Sequence, residues 1–115
     1  MPLPSEALSL KIFIGEAARS GHQPLYEAIV MKARELGLAG ATVLRGPMGY
    51  GSTSHLRTAK ILQLSDDLPL VIEIVESQQK IDAFLPALEE LMGDTSGLVT
   101  LEKVQVLQYG AKQKS

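Results

Sequence analysis

The feature that most constrains this chain is the order in which its apolar residues change period. Leu8, Leu10, Ile12 and Ile14 alternate with Ser9, Lys11 and Phe13, the period of two that a half-buried strand requires. Spacings of three and four follow at Leu25, Ile29, Ala33 and Leu36. They predict an amphipathic helix with Pro24 in its first position and Gly37 as its stop. Ala41–Arg45 and Leu68–Glu76 are rich in β-branched residues and return the chain to strand. From Ser77, a residue able to cap, Ile81, Phe84, Leu85, Leu88 and Leu91 form a second helical stripe opposite Gln79, Lys80, Asp82 and Glu89. Pro86 within it is placed to kink or shorten the helix. Gly93–Gly97 reads as a polar turn and Leu98–Tyr109 as a long last strand. The apolar phase of that strand shifts near Glu102 and Lys103, as at a bulge, and Gly110–Ser115 is a polar tail.

Strand, helix, strand, strand, helix, strand closes most simply as an α+β, ferredoxin-like βαββαβ fold: a four-stranded antiparallel sheet with two helices on one face. The 115 residues fit one domain, residues 1–115. A chain of this length buries roughly 65% of its unfolded surface and needs no staples. The uncovered sheet face would carry Phe13, Val71, Val75 and Leu107 or Tyr109, too many apolar groups to leave wet, so a homo-oligomer covering that face is expected.

The absence of cysteine removes disulfides, thiolate metal sites and cysteine nucleophiles, and makes a reducing, cytoplasmic setting the default. Met1–Leu8 has two prolines and an acid with no basic region before an apolar run, unlike a signal peptide. Nor does any segment reach the ~18–20 apolar residues of a membrane span, so no membrane insertion is expected. Eleven basic against 13 acidic residues, a net charge of −2, give no ground for nucleic-acid binding.

About 20 residues separate the second and third strands, where a plain hairpin needs roughly 2–5. The run from Arg45 to Lys60 holds Gly46, Gly49 and Gly51, the hydroxyls of Ser52, Thr53, Ser54 and Thr58, the cations Arg45, Arg57 and Lys60, and no acid. Glycines let backbone amides approach a ligand closely, and arginines and hydroxyls donate to phosphate or carboxylate oxygens. The spacing matches neither a P-loop nor a dinucleotide fingerprint. The same glycines would equally serve a long exposed arm whose cations are solvated.

Ile14-Gly15-Glu16, Pro24-Leu25-Tyr26-Glu27-Ala28-Ile29, Ala39-Gly40-Ala41-Thr42-Val43-Leu44-Arg45-Gly46 and Leu68-Pro69-Leu70-Val71-Ile72-Glu73 together resemble the PII-like family known as domain of unknown function 190. The resemblance spans nearly the whole chain. It implies a homotrimer of ferredoxin-like subunits with ligands, commonly an adenine nucleotide, bound in clefts between subunits beneath the long loop, and it implies no catalysis. By position, Gly49-Tyr50-Gly51-Ser52 would be the counterpart of the PII effector loop, with Arg45 and Gly46 at its base. The loop departs from true PII proteins in detail, so nucleotidylation is not carried over to Tyr50.

Other residues admit two readings. Glu16 and His22 could line the same cleft, or be a cap and a solvated group. His55 is the only other histidine, and no third metal ligand stands beside either one. Tyr50 could stack on a base or touch a partner. The pairs Asp66–Asp67 and Glu89–Glu90 read as turn chemistry and a wet helix face, and Gly93–Gly97 as an ordinary turn or one that approaches a neighbouring cleft. The expectation is a cytoplasmic, non-enzymatic regulator without a cofactor, in which an adenine nucleotide or similar anion orders the Gly46–Lys60 loop. Arg45, Gly46, Gly49, Tyr50, Gly51, Ser52, Ser54, His55, Arg57, Glu16 and His22 are the candidate ligand-binding residues. The alternative is a ligand-independent subunit whose loop docks on a protein such as a transporter; an enzyme completed at a subunit interface finds no nucleophile and base pair to support it.

Overall fold

The computed structural model describes residues 3–59 and 67–111. Alternation of apolar residues does produce the first strand, β1 (Glu6–Gly15), and a two-residue hairpin, β2 (Arg19–Ser20) and β3 (Gln23–Pro24), fills the connection to helix α1 (Leu25–Glu35). The chain continues through β4 (Thr42–Arg45), a short ribbon of β5 (Met48–Gly49) and β6 (Arg57–Thr58), then β7 (Pro69–Glu76), helix α2 (Gln78–Met92) and β8 (Leu98–Gln105). The main sheet has the order β4-β7-β1-β8 with every neighbouring pair antiparallel. This is the ferredoxin-like arrangement, its two split βαβ units interleaved.

The core forms where the period-two and period-3.6 stripes meet. Leu10, Ile12 and Ile14 of β1 and Leu70, Ile72 and Ile74 of β7 face Leu25, Ile29 and Ala33 of α1 and Ile81, Phe84 and Leu88 of α2. Leu36 lies beyond the buried stripe and is exposed. Burial of this cluster is the main stabilising term, at roughly 25 cal/mol per Å² of apolar surface removed from water. Ser77 caps α2 by accepting a hydrogen bond from the Lys80 amide at 3.3 Å. Pro86 neither shortens nor ends that helix, which runs on to Met92. Pro86 is exposed, so solvent can satisfy the carbonyl one turn earlier that loses its donor.

Glu76 is buried, and its carboxylate is fully used. Oε2 accepts from the Ala39 amide and Oε1 from the Ser77 amide, both at 2.7 Å. One side chain thereby fixes both the entry to β4 and the start of α2.

Three expectations are corrected. Pro24 belongs to β3 and is the N-cap of α1, not its first residue. The last strand ends at Gln105, not Tyr109, because its partner β1 begins at Glu6 and the ladder runs out. No bulge interrupts β8, whose register with β1 is continuous from Glu6↔Gln105 to Phe13↔Leu98. The phase shift in its sequence arises because this edge strand carries apolar residues on both faces, Leu98 and Val104 on one and Val99 and Leu101 on the other.

On the face away from the helices, register places Leu44, Val71, Phe13 and Leu98 in one row across all four strands, and Thr42, Glu73, Lys11 and Thr100 in the next. Leu107 and Tyr109 lie past the end of β8. The Tyr109 hydroxyl instead donates to the Ala39 carbonyl at 2.6 Å, bringing the segment after β8 across to the entry of β4.

Candidate functional site

β1 and β4 both end, and β7 and β8 both begin, at one edge of the sheet. This convergence places Gly15, Glu16, Arg45, Gly46, Asp67 and Pro69 together. The main chain sets the frame: the Glu16 amide donates to the Leu68 carbonyl and the Gly46 amide to the Pro69 carbonyl, each at 2.8 Å. Gly46 and Gly49 both pack on the Pro69 ring, where an added Cβ would stand 3.3 and 3.2 Å from its Cγ. Glycine lets the loop approach β7 closely here, where a Cβ would press on that ring.

Among the described residues two cations occupy this edge, each with a carboxylate. Arg45 pairs with Glu16 Oε2, while Glu16 Oε1 accepts from the Leu68 amide at 3.4 Å. The Arg45 side chain is 57% exposed and that of Glu16 only 14%, so the cation faces solvent with its counter-charge behind it. Arg57 Nε stands 3.3 Å from Asp67 Oδ1, which also accepts from the Ala17 amide at 3.0 Å. The guanidinium of Arg57 lies against Gly15: a Cβ there would fall 2.6 Å from Nε and 2.9 Å from Cζ.

Past this base the loop rises as the β5–β6 ribbon, with Met48 opposite Thr58 and Gly49 opposite Arg57. The Ala59 amide closes it on the Pro47 carbonyl at 2.9 Å. Thr58 is buried. The tip, residues 50–56, is exposed throughout and makes one long-range side-chain hydrogen bond among the described residues, Ser52 Oγ to Ser96 Oγ at 2.6 Å. Ser96 belongs to the turn between α2 and β8. There Gly97 is fitted closely to β1, since a Cβ would come within 2.9 Å of the Phe13 carbonyl.

Of the residues singled out in the sequence, Glu16, Arg45, Gly46, Gly49 and Arg57 are brought together at the base. Tyr50, Gly51, Ser52, Ser54 and His55 line the exposed tip, where Ser54 takes a positive φ of 60°. The His55 amide donates to Thr53 Oγ1 at 3.4 Å. His22 sits apart, at the tip of the β2–β3 hairpin, with its carbonyl accepting from Arg19. Lys60 and Asp66 lie outside the described residues.

Sequence reasoning missed three participants. Asp67 was read as turn chemistry but is the partner of Arg57. Gly15 was read only within a resemblance but is the seat of that guanidinium. Ser96 tethers the tip within the same chain. A signal for Asp67 was present: a basic loop with no acid of its own invites a carboxylate from the segment next to it.

The family model for DUF190, described as an uncharacterized ACR, matches residues 7–106. The chain belongs to that family. A UPF0166 protein of Aquifex aeolicus is 43% identical over 98 residues, covering 85% of this chain and 90% of that protein. A UPF0166 protein of Methanocaldococcus jannaschii is 32% identical over 101 residues, covering 88% and 92%. Among solved structures, the fold is similar to CPII, a nitrogen regulatory PII-like protein of Thiomonas intermedia K12, solved bound to ADP, AMP and bicarbonate. The TM-score is 0.70 at 18% identity, with 90% of each chain covered. The PII-like fold expected from the sequence is therefore present. No helix among the described residues is long and apolar enough to cross a membrane.

Proposed function

We propose that this chain is a cytoplasmic PII-like regulator that binds an anionic ligand, an adenine nucleotide above all, in clefts between the subunits of a homotrimer, and signals through the Gly46–Lys60 loop. The observation that carries the reading is the convergence of Arg45 and Arg57 with the close-packed glycines Gly46 and Gly49 at the base of an exposed loop. The exposed Arg45 guanidinium suits phosphate oxygens, which it contacts with charge-assisted hydrogen bonds, and Arg57, held by Asp67, adds its positive charge from the base of the loop. Loop residues Tyr50, Gly51, Ser52, Ser54 and His55 then close over the ligand, and a changed tip presents a changed surface to a partner. Glu16 enters the candidate set as the partner of Arg45, and His22, on the β2–β3 hairpin, stands apart from this cluster. The similarity in fold to a protein solved with ADP and AMP supports the choice of nucleotide. The reading assigns binding and no catalysis.

The trimer rests on the row Leu44, Val71, Phe13 and Leu98, in which Leu44 and Leu98 are more than half exposed in the single chain. A second reading, direct docking of the loop on a protein such as a transporter without a ligand, is favoured by one observation: Met48, Tyr50 and Leu56 are exposed together on the loop, Tyr50 at 73%.

Isothermal titration with ADP, AMP and ATP at fixed moderate salt, with molar mass from light scattering, separates the two. Saturable binding lost in Arg45→Ala establishes the nucleotide reading. A trimer indifferent to all three nucleotides, whose loop is still required to capture a partner, replaces it with the docking reading.

A further inference from the structure

The arginines at the loop base are already occupied, and the two pairs differ in a way that assigns them different jobs. Arg45 is mostly exposed, whereas Glu16 is largely covered and keeps a second, long contact to the Leu68 amide. Arg57 and Asp67 are each about a quarter exposed, with Asp67 tied to the Ala17 amide and Arg57 seated on Gly15. We infer that Glu16 is a built-in competitor for the anion site: its carboxylate holds Arg45 in the empty state, and an incoming phosphate must take the guanidinium from it. Arg57, held on two sides by chain groups, stays with Asp67 and keeps the loop anchored during the exchange. The inference rests on the anion-binding reading above and adds to it a restraint on affinity.

The physical case is one of competing acceptors. An exposed ion pair contributes ~0–1 kcal/mol, because water and salt screen it and two long side chains must be ordered. A phosphate group offers more charge and several acceptor oxygens to the same fork, so it wins, but only after losing what the Glu16 pair contributed. The carboxylate left behind is poorly hydrated, which adds to the cost of exchange. Glu16 thus sets a threshold concentration below which the loop base stays closed on itself. A ligand-contact role for Glu16 makes the opposite prediction, since its removal would then weaken binding.

The test uses the full chain and two probes, ADP and inorganic pyrophosphate, titrated calorimetrically into wild type, Glu16→Gln, Arg45→Ala and the double variant. Glutamine keeps the size and the oxygen that accepts from Leu68, and circular dichroism confirms that each variant is folded. Tighter binding of both probes in Glu16→Gln, by about two- to fivefold as the surface-pair range implies, with no such gain in the Arg45→Ala background, is the expected result. Asp67→Asn serves as the contrast and gives no gain in affinity. If ADP binds wild type and Glu16→Gln is unchanged or weaker, the competitor role is overturned while the nucleotide reading stands. If ADP binds neither protein but pyrophosphate binds more tightly to Glu16→Gln, the nucleotide reading falls and the competitor role stands. Pyrophosphate and ADP both failing on both proteins removes both.

Discussion

Gly15 and Gly97 show how the same residue type serves two different ends. The atoms nearest to a methyl group on Gly15 belong to the far end of the Arg57 side chain, which can swing away. Gly15→Ala is therefore expected to cost little stability, under about 1 kcal/mol, while breaking the Arg57–Asp67 pair. Hydrogen exchange would then show faster exchange at Arg57 and Thr58 with an almost unchanged denaturation midpoint. On Gly97 the methyl would meet the Phe13 carbonyl and Ile14 Cγ2, 2.9 and 3.1 Å away, which belong to the core strand and cannot move freely. Gly97→Ala is expected to destabilise by about 1–3 kcal/mol through overpacking, read by urea denaturation. Equal effects from the two substitutions would contradict this division. Glu76 makes a third case. Removing its carboxylate strands the Ala39 and Ser77 amides, and Glu76→Ala should cost on the order of 2–3 kcal/mol in the same measurement. Nothing in the sequence distinguishes Glu76 from a solvated acid at the end of a strand; its burial follows from the path of the α1–β4 connection.

Elements with a long periodic stripe were legible in advance, and those defined by a partner were not. β1 and β7 show themselves because alternate residues face a core on one side for eight residues or more. The β5–β6 ribbon has two residues on each side, too few for any period, and tertiary contacts fix where it lies: Gly46 and Gly49 on Pro69, and Arg57 on Gly15 and Asp67. The end of β8 was misplaced for a related reason: Val104 and Val106 continue an apolar alternation, yet β1 has no residue left in strand to pair beyond Glu6. The cations of the site could be read from the sequence, whereas Asp67, which neutralises Arg57, could not be assigned without the fold. At the loop tip, the Ser52–Ser96 hydrogen bond is exposed and joins two segments otherwise in different elements. Ser52→Ala and Ser96→Ala should each raise hydrogen exchange across residues 50–56 with no fall in thermal midpoint, because an exposed hydroxyl pair contributes ~1 kcal/mol or less. The double variant should match either single one, since both remove the same bond. Additive effects would mean that the hydroxyls act separately.

The whole molecule is a sheet with one face closed by helices and the other carrying two kinds of row. Leu44, Val71, Phe13 and Leu98 form an apolar band, and the adjoining row places Lys11 directly opposite Glu73, which accepts from Ser9 Oγ at 3.0 Å. An apolar band beside a cross-strand pair of opposite charge gives the face both a reason to leave water and a means of fixing register when it does. Under the proposed trimer, Phe13 lies within the buried band, and a carboxylate there would have to be desolvated without a partner. Phe13→Asp is accordingly expected to dissociate the assembly, shifting the mass measured by light scattering from three times the 12.4 kDa chain toward the single chain. Met31→Asp, at a more exposed apolar residue on α1, is the control and should leave the mass unchanged. Because a cleft between subunits exists only in the assembly, Phe13→Asp should also lose ADP binding although Arg45, Arg57 and the loop are untouched. Retention of full ADP affinity by a monomeric Phe13→Asp protein would place the whole site within one chain and separate the sensing reading from the trimer.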